Sequence, residues 1–330
     1  MSQGTLVLTR QDVEKCIAMP QAIEIVENAF KAHGQGLTQM PAKIYLHLDK
    51  YNGDFRAMPA YVKEPEACGI KWVNVHPDNK KYGLPSVMAL IILSDSKTGF
   101  PLAIMDGTSI TNLRTGAAGA VAAKYLARTD SKRIALIGCG VQATTQLMAL
   151  REVFPISTVS VFDSLEPQAN AFIKKTRSLV PKIKKHATIA ECLNGADIIV
   201  TTTPSREPIV QSQWVAKGAH INAIGADAKG KEELDPKILT RAKVVVDDIT
   251  QALHSGEINV PVAKNLFRKS QIYADLGEIV TEKKAGRQAR DEITLFDSTG
   301  LAILDIALAQ YAYLQAVSVN RRKLRKIKFY

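Results

Sequence analysis

The middle of the chain alternates short apolar runs with longer segments whose apolar positions recur at helical spacing. Residues 134–137 (IALI) predict a buried strand, and residues 142–153 predict the helix that follows it. A second strand is predicted at residues 158–162 (TVSVF), and a second helix from residue 167 to about residue 179. This alternation is typical of βαβ units with a parallel sheet.

Three further apolar runs, at residues 197–202, 220–224 and 243–248, continue the alternation. Polar loops follow them directly, among them TTTPS at residues 201–205 and GAD at residues 225–227. In open parallel sheets, ligands bind at the carboxyl ends of the strands, where such loops lie. The predicted fold class is therefore α/β, with a Rossmann-type doubly wound parallel sheet domain over residues 114–301.

The first part of the chain has strand-like runs that succeed one another with no helix between them. They are predicted at residues 43–48, 55–58, 68–73 and 86–93, and turn residues such as Asn52-Gly53 link them. One helix is predicted before them, at residues 20–34, and an apolar helix at residues 300–319. We expect the last helix to return to the first part, so that residues 1–113 and 302–330 form a discontinuous α+β domain.

A chain of 330 residues, 46% hydrophobic and 23% charged, is ordinary globular material and long enough for two domains. The best candidate for a membrane-spanning segment, the apolar run at residues 87–93, is too short to cross a bilayer. Residues 1–10 do not have the pattern of a secretory signal. Widely spaced cysteines without CxxC pairing favour a cytoplasmic protein with no metal cluster. They are Cys16, Cys68, Cys139 and Cys192.

The net charge of +11 raises the question of nucleic-acid binding. Six basic residues are crowded into the last ten positions: Arg321, Arg322, Lys323, Arg325, Lys326 and Lys328. Without them the net charge is about +5, which is ordinary for an enzyme that binds an anionic cofactor. We therefore expect a solvated tail and neither a nucleic-acid partner nor a membrane.

The turn after the first central strand carries Gly138-x-Gly140 at the start of a helix, with Ala143 in the third glycine position. In this fingerprint the first glycine makes the tight turn, and the second lets a pyrophosphate approach the backbone. Asp163 ends the next strand, where a carboxylate would meet the ribose hydroxyls and repel a 2′-phosphate. The pattern predicts NAD rather than NADP, and Cys139 in the turn is interpreted as a small buried filler.

Arg56 and Lys71 lie on strands of the first part, and both suit a carboxylate ligand. Lys71 stands in an otherwise apolar strand, where an unpaired ammonium would be costly. A structural salt bridge remains the alternative for each of them. Lys43 is a weaker candidate, because exposed strand edges often carry lysine.

Asp227 follows a strand directly and lies between small residues, where a carboxylate can act as acid or base. A helix cap is the alternative, but Asp235, followed by Pro236, fills that role better. Arg114 precedes a segment of small residues with a helical pattern and could clamp a pyrophosphate; a surface salt bridge is its alternative. The histidines lack metal-ligand spacing, so no metal site is predicted.

Together these segments resemble the ornithine cyclodeaminase/mu-crystallin family, from about residue 5 to residue 320. The motifs that carry the resemblance are FRAMP at 55–59, GIKWVN at 69–74, SITNLRTG at 109–116, IGCGVQA at 137–143, TTTPS at 201–205, GAD at 225–227, VDD at 246–248 and FDSTG at 296–300. The resemblance implies a homodimer built through the first domain, which also binds the substrate, and NAD in the central domain.

The resemblance also implies residue roles. Arg56 and Lys71 match substrate-side basic residues, with Lys71 also catalytic, and Asp227 matches the catalytic aspartate. The positions that match cofactor contacts are Ser86, Arg114, Thr115, Gly138, Gly140, Val141, Gln142, Asp163, Thr202, Gly225, Lys231 and Gly300. Ser86 and Lys231 are the weaker matches, to cofactor or substrate.

Charge favours one substrate within the family. Members that act on ornithine carry a glutamate where this chain has Arg56, so the partner of the distal ammonium is replaced by a repelling cation. Arg56 beside Lys71 suits a short amino acid that presents its carboxylate. We therefore expect NAD-dependent oxidative deamination of L-alanine to pyruvate and ammonia, with the reverse reductive amination. Ornithine cyclodeamination or ketimine reduction is the alternative within the family, and a non-catalytic, crystallin-like nucleotide-binding protein is the alternative of another class.

Overall fold

The structure is a computed structural model, and it describes residues 4–320 and 324–329. Its strands are β1 (Thr5–Leu8), β2 (Thr38–Gln39), β3 (Ile44–Leu48), β4 (Gly53–Val62), β5 (Ala67–Val75), β6 (Val87–Ser94), β7 (Pro101–Asp106), β8 (Arg133–Ile137), β9 (Thr158–Phe162), β10 (Lys182–Lys185), β11 (Ile198–Thr201), β12 (His220–Ala223), β13 (Ala242–Val246), β14 (Ala274–Asp275), β15 (Ile293–Asp297) and β16 (Lys326–Ile327). Its helices are α1 (Arg10–Cys16), α2 (Met19–Gly34), α3 (Gly107–Leu126), α4 (Val141–Val153), α5 (Glu166–Thr176), α6 (Ile189–Leu193), α7 (Pro236–Arg241), α8 (Ile249–Ser255), α9 (Asn259–Ala263), α10 (Leu276–Val280) and α11 (Ala302–Asn320).

The chain forms two compact units. A central unit comprises Thr115–Gly300, and a discontinuous unit comprises the described residues up to Arg114 and those from Leu301 onward. Arg321, Arg322 and Lys323 of the predicted basic tail lie outside the described residues. The substrate-binding and dimerisation roles assigned to the discontinuous domain stay predictions.

The central unit is a parallel sheet with strand order β10-β9-β8-β11-β12-β15-β13-β14. The order reverses between β8 and β11, which pair side by side in parallel. At such a switch point the chain leaves the two strands in opposite directions, and a crevice opens outside their carboxyl ends. The predicted fold class, a Rossmann-type α/β domain with a discontinuous α+β domain, is confirmed.

Alternate residues of the central strands enter different hydrophobic cores. Ile134 and Leu136 of β8 pack in one cluster, whereas Ala135 and Ile137 pack in the other. Both faces of a strand are therefore buried, which explains why these strands show continuous apolar runs rather than alternation.

The discontinuous unit contains a mixed sheet with strand order β16-β1-β7-β6-β5-β4-β2, and β3 also pairs with β4. The strands from β3 to β6, predicted as an antiparallel sheet from their turn residues, are joined in antiparallel pairs. β7, which was not predicted, pairs antiparallel with β6. β1 pairs in parallel with β7. Two helices precede the main strands rather than the single one predicted, because a capping box of Thr9 and Asp12 starts the short helix α1.

Three other predictions need correction. Arg114 lies inside α3 rather than before a helix, because Asp106 accepts hydrogen bonds from the N–H groups of Thr108 and Ser109 and starts the helix early. Seven strands of the described residues were not predicted: β1, β2, β7, β10, β14, β15 and β16. Among them β10 is polar and mostly exposed, and β15 is a run of five residues. The end of the tail is not simply solvated, since β16 pairs antiparallel with β1.

By length and composition, α11 is long and apolar enough to span a membrane. From the sequence, only the shorter run at residues 87–93 was considered as a span. Within its unit it packs against α2, β4 and β5. Its residues from Ala302 to Ala309 are buried, and they include the charged Asp305. These contacts are those of a core helix that covers one face of a sheet.

Candidate active site

The turn between β8 and α4 requires glycine at position 138. Gly138 has φ +89°, a left-handed conformation that side chains rarely adopt. A Cβ atom there would also lie 3.0 Å from Thr202 Oγ1 and 3.0 Å from Thr203 Cγ2. The Gly138 N–H donates to the Phe162 carbonyl at 2.9 Å, which ties the turn to the end of β9.

Gly140 is the N-cap residue of α4, a helix of 13 residues, and within the described part of the chain no side chain caps this helix end. A Cβ built on Gly140 would meet nothing within 4 Å. Val141, the next residue, is 57% exposed. An open space in front of the positive end of a helix dipole fits the pyrophosphate of a dinucleotide.

Asp163 is held against the same turn. Its Oδ2 accepts a hydrogen bond from the Cys139 N–H at 2.8 Å, and its Oδ1 accepts one from the Leu165 N–H at 2.8 Å. Each oxygen keeps a further lone pair for a ribose hydroxyl. Burial, together with Asp163, raises the pKa of the Cys139 thiol to about 12, which agrees with its interpretation as a filler.

The loops after β11 and β12 meet beside this turn. The Thr202 hydroxyl donates to the Gly138 carbonyl at 3.1 Å. Gly225 lies so close to the preceding loop that a Cβ would be 2.1 Å from the Thr203 carbonyl oxygen. Only glycine fits this approach, so the two loops run together at the carboxyl edge of the sheet.

Asp227 lies on the loop after β12, and its side chain is 35% exposed. Its Oδ1 accepts a hydrogen bond from Lys231 Nζ at 2.6 Å, so two predicted site residues form one ion pair. Asp235 caps α7 through the Lys237 N–H, with Pro236 first in the helix, as predicted. That cap leaves Asp227 outside any helix end.

The other predicted cofactor positions lie in different surroundings. Gln142 accepts a hydrogen bond from the Thr145 hydroxyl, and the Thr115 carbonyl accepts one from Gln146 Nε2 at 2.8 Å. Gly300, with φ +82°, donates its N–H to Asp247 Oδ2 at 2.7 Å. Ser86 and Arg114 belong to the discontinuous unit, where the Ser86 carbonyl accepts from the His76 N–H. Their cofactor roles stay predictions.

In the discontinuous unit, Lys71 of β5 is buried, with 1% of its surface exposed. Its Nζ lies 2.6 Å from Asp305 Oδ2 of α11 and 3.4 Å from the Thr111 hydroxyl. Arg114 Nε lies 3.2 Å from the other oxygen, Asp305 Oδ1. Two buried cations therefore share one carboxylate.

This arrangement shifts the pKa values of both Lys71 and Asp305. Burial lowers the pKa of Lys71 to about 7; Asp305 opposes the shift, and the positive charges of Arg114 and Lys43 add to it. Burial alone would raise the pKa of Asp305, but Arg114 and Lys71 together lower it. Asp305 is thus ionised, while Lys71 can hold or release a proton near neutral pH.

Arg56 lies on the same face of the sheet as Lys71. It pairs in register with Val73, two residues from Lys71, so that the two cations are diagonal neighbours on adjacent strands. Asp54 binds the guanidinium with two oxygens, at 2.7 Å to Nε and 3.3 Å to Nη2. The guanidinium also lies 5.2 Å from the centre of the Tyr45 ring. The salt bridges considered as alternatives are thus present for both residues, Arg56 with Asp54 and Lys71 with Asp305. The cluster around Lys71 nevertheless holds two cations and one carboxylate.

Asp305 is the site residue that the sequence analysis missed. It is the one acidic residue in an apolar helix, AILDIALAQYAYL, at residues 302–314. A lone carboxylate in a helix predicted to be buried indicates a buried cation partner. That signal was available, but its partner Lys71 is 234 positions away.

A doubly wound sheet with this turn and Asp163 at the next strand end defines a Rossmann-type dinucleotide-binding protein. The model of the ornithine cyclodeaminase/mu-crystallin family matches residues 3–320. An alanine dehydrogenase of Archaeoglobus fulgidus is 50% identical over 328 residues, with 99% of each chain covered.

Solved structures agree. An archaeal alanine dehydrogenase dimer with bound NAD has a TM-score of 0.94 at 49% identity, covering 99% of both chains. The Δ1-pyrroline-2-carboxylate reductase of Thermococcus litoralis, in complex with NADH and L-proline, has a TM-score of 0.93 at 42% identity, covering 95% of this chain and 98% of that one. The chain belongs to the ornithine cyclodeaminase/mu-crystallin family, and the family prediction is confirmed. The prediction of NAD agrees with the cofactors in these two relatives.

Proposed function

We propose that this protein is an NAD-dependent oxidoreductase that interconverts L-alanine with pyruvate and ammonia. The observation that carries the proposal is the pair of buried cations, Lys71 and Arg114, that share the single carboxylate of Asp305. The surplus positive charge suits the α-carboxylate of an amino acid or 2-oxo acid. The 50% identity to an alanine dehydrogenase supports the same choice.

Arg56 and Lys71 have different roles toward the substrate. Arg56 binds the carboxylate, since its fork matches two oxygens. Lys71 contacts the carboxylate too and polarises the developing carbonyl. Its proton is easily moved, because burial lowers its pKa to about 7.

NAD supplies the acceptor for the hydride that leaves the α-carbon of alanine. Gly138, Gly140, Asp163 and Thr202 would hold this cofactor. Asp227, oriented by Lys231, activates the water that adds to the substrate imine, and it takes up the proton. Asp227 then returns that proton to the amine nitrogen of the adduct. The carbon–nitrogen bond breaks, ammonia leaves, and the hydroxyl group loses its proton as it becomes the carbonyl of pyruvate. In the reverse direction the same groups act in the opposite order.

Reduction of a cyclic ketimine is the second candidate, favoured by the 42% identity to the T. litoralis reductase. Such a substrate also presents a carboxylate to Arg56 and Lys71. Ornithine is disfavoured, because a cation at position 56 repels the distal ammonium.

Purified protein tests these alternatives through oxidation of NADH. Pyruvate plus ammonia, Δ1-pyrroline-2-carboxylate, and buffer alone are compared, with conversion of ornithine to proline followed separately. Turnover with pyruvate plus ammonia, at least tenfold above the ketimine, is expected. A faster ketimine reaction would replace the proposed substrate, and no turnover with any of them would favour the non-catalytic alternative.

We also propose a homodimer formed through the discontinuous unit. One face of its sheet exposes a cross-strand row of large apolar side chains, in which Trp72 pairs in register with Leu90. The exposed members are Ile44, Leu46, Trp72, Leu90 and Ile92, at 41–65% exposure. Exposed apolar patches of this kind mark protein interfaces, and a second copy fits because a solved relative is a dimer.

Light scattering tests the dimer. Leu90→Glu is expected to shift the molar mass from dimer to monomer, because it places a charge in the apolar row. Leu165→Glu is the control, since Leu165 is 57% exposed, close to the 55% of Leu90, but lies in the central unit. An unchanged dimer in Leu90→Glu would place the interface elsewhere.

A further inference from the structure

Glu233 is fully buried in the central unit and lies outside every motif noted in the sequence. Its Oε1 accepts hydrogen bonds from the Thr203 N–H at 2.6 Å and the Thr203 hydroxyl at 2.7 Å. Its Oε2 accepts from the Thr201 hydroxyl at 2.7 Å and the Gly225 N–H at 2.9 Å. One carboxylate therefore joins the loop after β11 to the loop after β12.

These two loops carry residues with roles in the proposed reaction. Thr202 lies between the two threonines that Glu233 binds, and it donates to the glycine-rich turn at Gly138. Asp227 is two residues beyond Gly225, and its N–H donates to the Gly225 carbonyl at 3.0 Å. A shift of Glu233 would consequently reach both the cofactor turn and the catalytic aspartate.

Glu233 is itself held firmly. Glu257 Oε1 accepts from the backbone N–H groups of Glu233 and Leu234, at 2.8 and 2.7 Å. The Glu233 carbonyl accepts from the N–H groups of Ile209 and Val210, at 2.8 and 3.0 Å. The backbone of Glu233 is therefore fixed on both sides, and its side chain is a rigid bridge rather than a loose contact.

Both oxygens of Glu233 must act as acceptors. Each one faces a backbone N–H, and a backbone N–H can only donate. An amide nitrogen in place of either oxygen would set a donor against a donor and leave a buried group unsatisfied. Glutamine, which is nearly the same shape, cannot do what this carboxylate does.

We propose that Glu233 is a positioning residue, which clamps the two loops together and so sets the placement of Thr202 toward NAD and of Asp227 toward the substrate. The catalytic part of this inference rests on the proposed function. The cofactor part requires only that the central unit binds a nicotinamide dinucleotide.

Glu233→Gln tests the clamp, with Glu232→Gln as its matched control. Glu232 is also buried, but its Oε1 pairs with Lys264 Nζ at 3.2 Å, and Lys264 lies on neither loop. In Glu233→Gln we expect the Kd for NADH, followed by its fluorescence, to rise about tenfold and kcat to fall about tenfold, since one backbone N–H then faces an amide nitrogen and its hydrogen bond is lost. Glu232→Gln should leave both values within twofold of wild type.

A second pair keeps the test decisive if Glu233→Gln fails to fold. Thr203→Val removes one hydroxyl donor to Glu233 and keeps the backbone N–H, so NADH affinity and kcat should each fall about threefold. Thr203→Ser retains the hydroxyl, so its NADH affinity and kcat should be close to those of the wild type.

Unchanged Kd and kcat in folded Glu233→Gln, or equal behaviour of the valine and serine variants, would overturn the proposal. A change in thermal stability alone would count against it too, since a purely structural contact predicts that result. NADH binding is measured apart from turnover. Absence of turnover with pyruvate plus ammonia would therefore refute the proposed substrate, and the Kd for NADH would still test the clamp.

Discussion

The discontinuous unit and the central unit both bury charged groups, but they balance the charge differently. Around Asp305, two cations share one anion, and all three groups are nearly inaccessible. In the central unit, Glu233, Glu257 and Asp297 are buried together, and their partners are backbone N–H groups and threonine hydroxyls. No ion pair joins these three carboxylates to a cation within residues 4–320 and 324–329.

The difference indicates two uses of buried charge. A surplus cation attracts an anionic ligand into low dielectric, where the attraction is strong. Carboxylates that accept hydrogen bonds from backbone N–H groups instead fix the loops that donate to them. The first cluster suits substrate recognition, and the second suits the positioning of strand-end loops.

The carboxyl groups of the second cluster also have raised pKa values. Glu257 Oε1 accepts hydrogen bonds from two N–H groups, whereas its Oε2 is buried and has no hydrogen-bond partner among the residues that the structure describes. Burial, and then the neighbouring charge of Glu233, raises the pKa of Glu257 well above its usual value. We infer that Glu257 is a neutral acid with its proton on Oε2. Burial likewise raises the pKa of Asp297 to about 8.

The largest expected effect comes from removing the surplus cation. Lys71→Met keeps the volume of the side chain and leaves Asp305 with Arg114, so kcat should fall about 10²–10⁴-fold, as for loss of an acid–base group. The Kd for NADH should stay within twofold, because the glycine-rich turn belongs to the other unit. Steady-state kinetics and NADH fluorescence check both, with the exposed Lys63→Met as the control. A parallel loss of NADH affinity would show that Lys71 acts on the cofactor.

Asp305→Asn should have a smaller effect that depends on pH. Asp305 is the group that raises the pKa of Lys71 against burial, so its loss lowers that pKa below about 7. More Lys71 is then neutral at pH 7, and kcat/KM should fall about tenfold for each unit by which its pKa drops. Activity should recover toward lower pH.

The pH profile of kcat/KM is compared with that of Thr111→Val, which removes the hydroxyl that lies 3.4 Å from Lys71 Nζ and from Asp305 Oδ1 and that donates to the Gly107 carbonyl, but leaves the charge of Asp305 in place. A uniform loss at every pH would contradict the electrostatic role of Asp305. Thermal melts of the same variants separate this effect from the cost of breaking a buried ion pair, about 3–5 kcal/mol.

The smallest expected effect concerns stability and Glu257→Gln. The folded pKa of Glu257 lies above its unfolded value, so the folded protein binds the extra proton and the free energy of unfolding falls as pH rises. Glutamine keeps an acceptor for both N–H groups and cannot ionise. Relative to wild type, the variant should therefore gain up to about 1.4 kcal/mol per pH unit between pH 5 and 7.

Urea unfolding at several pH values measures this difference. The comparison with wild type cancels the contribution of other groups whose protonation differs between the folded and unfolded states, such as buried His220, whose pKa is lowered to about 3 in the folded protein. Parallel pH dependences would show that Glu257 is ionised in the folded protein.

Local patterns were sufficient for much of the fold. The helix predicted at residues 142–153 is observed at Val141–Val153, and the strand at 158–162 is observed at Thr158–Phe162. The glycine-rich turn was predicted because its chemistry is local, with a strand, a left-handed glycine and a helix start in consecutive residues. The short polar strand β10 was missed, since its partner β9 provides the ladder that makes it a strand.

The sequence by itself determined the dinucleotide turn, the family and the candidate residues Arg56, Lys71 and Asp227, because each rests on residue type and near neighbours. Only the tertiary structure decided which of them are paired. Asp305 meets Lys71 across 234 positions, and Glu233 meets Thr201 across 32. Such contacts depend on how α11 covers a sheet and how loops converge at strand ends. Burial then sets the charge state of each group, and no local pattern encodes it.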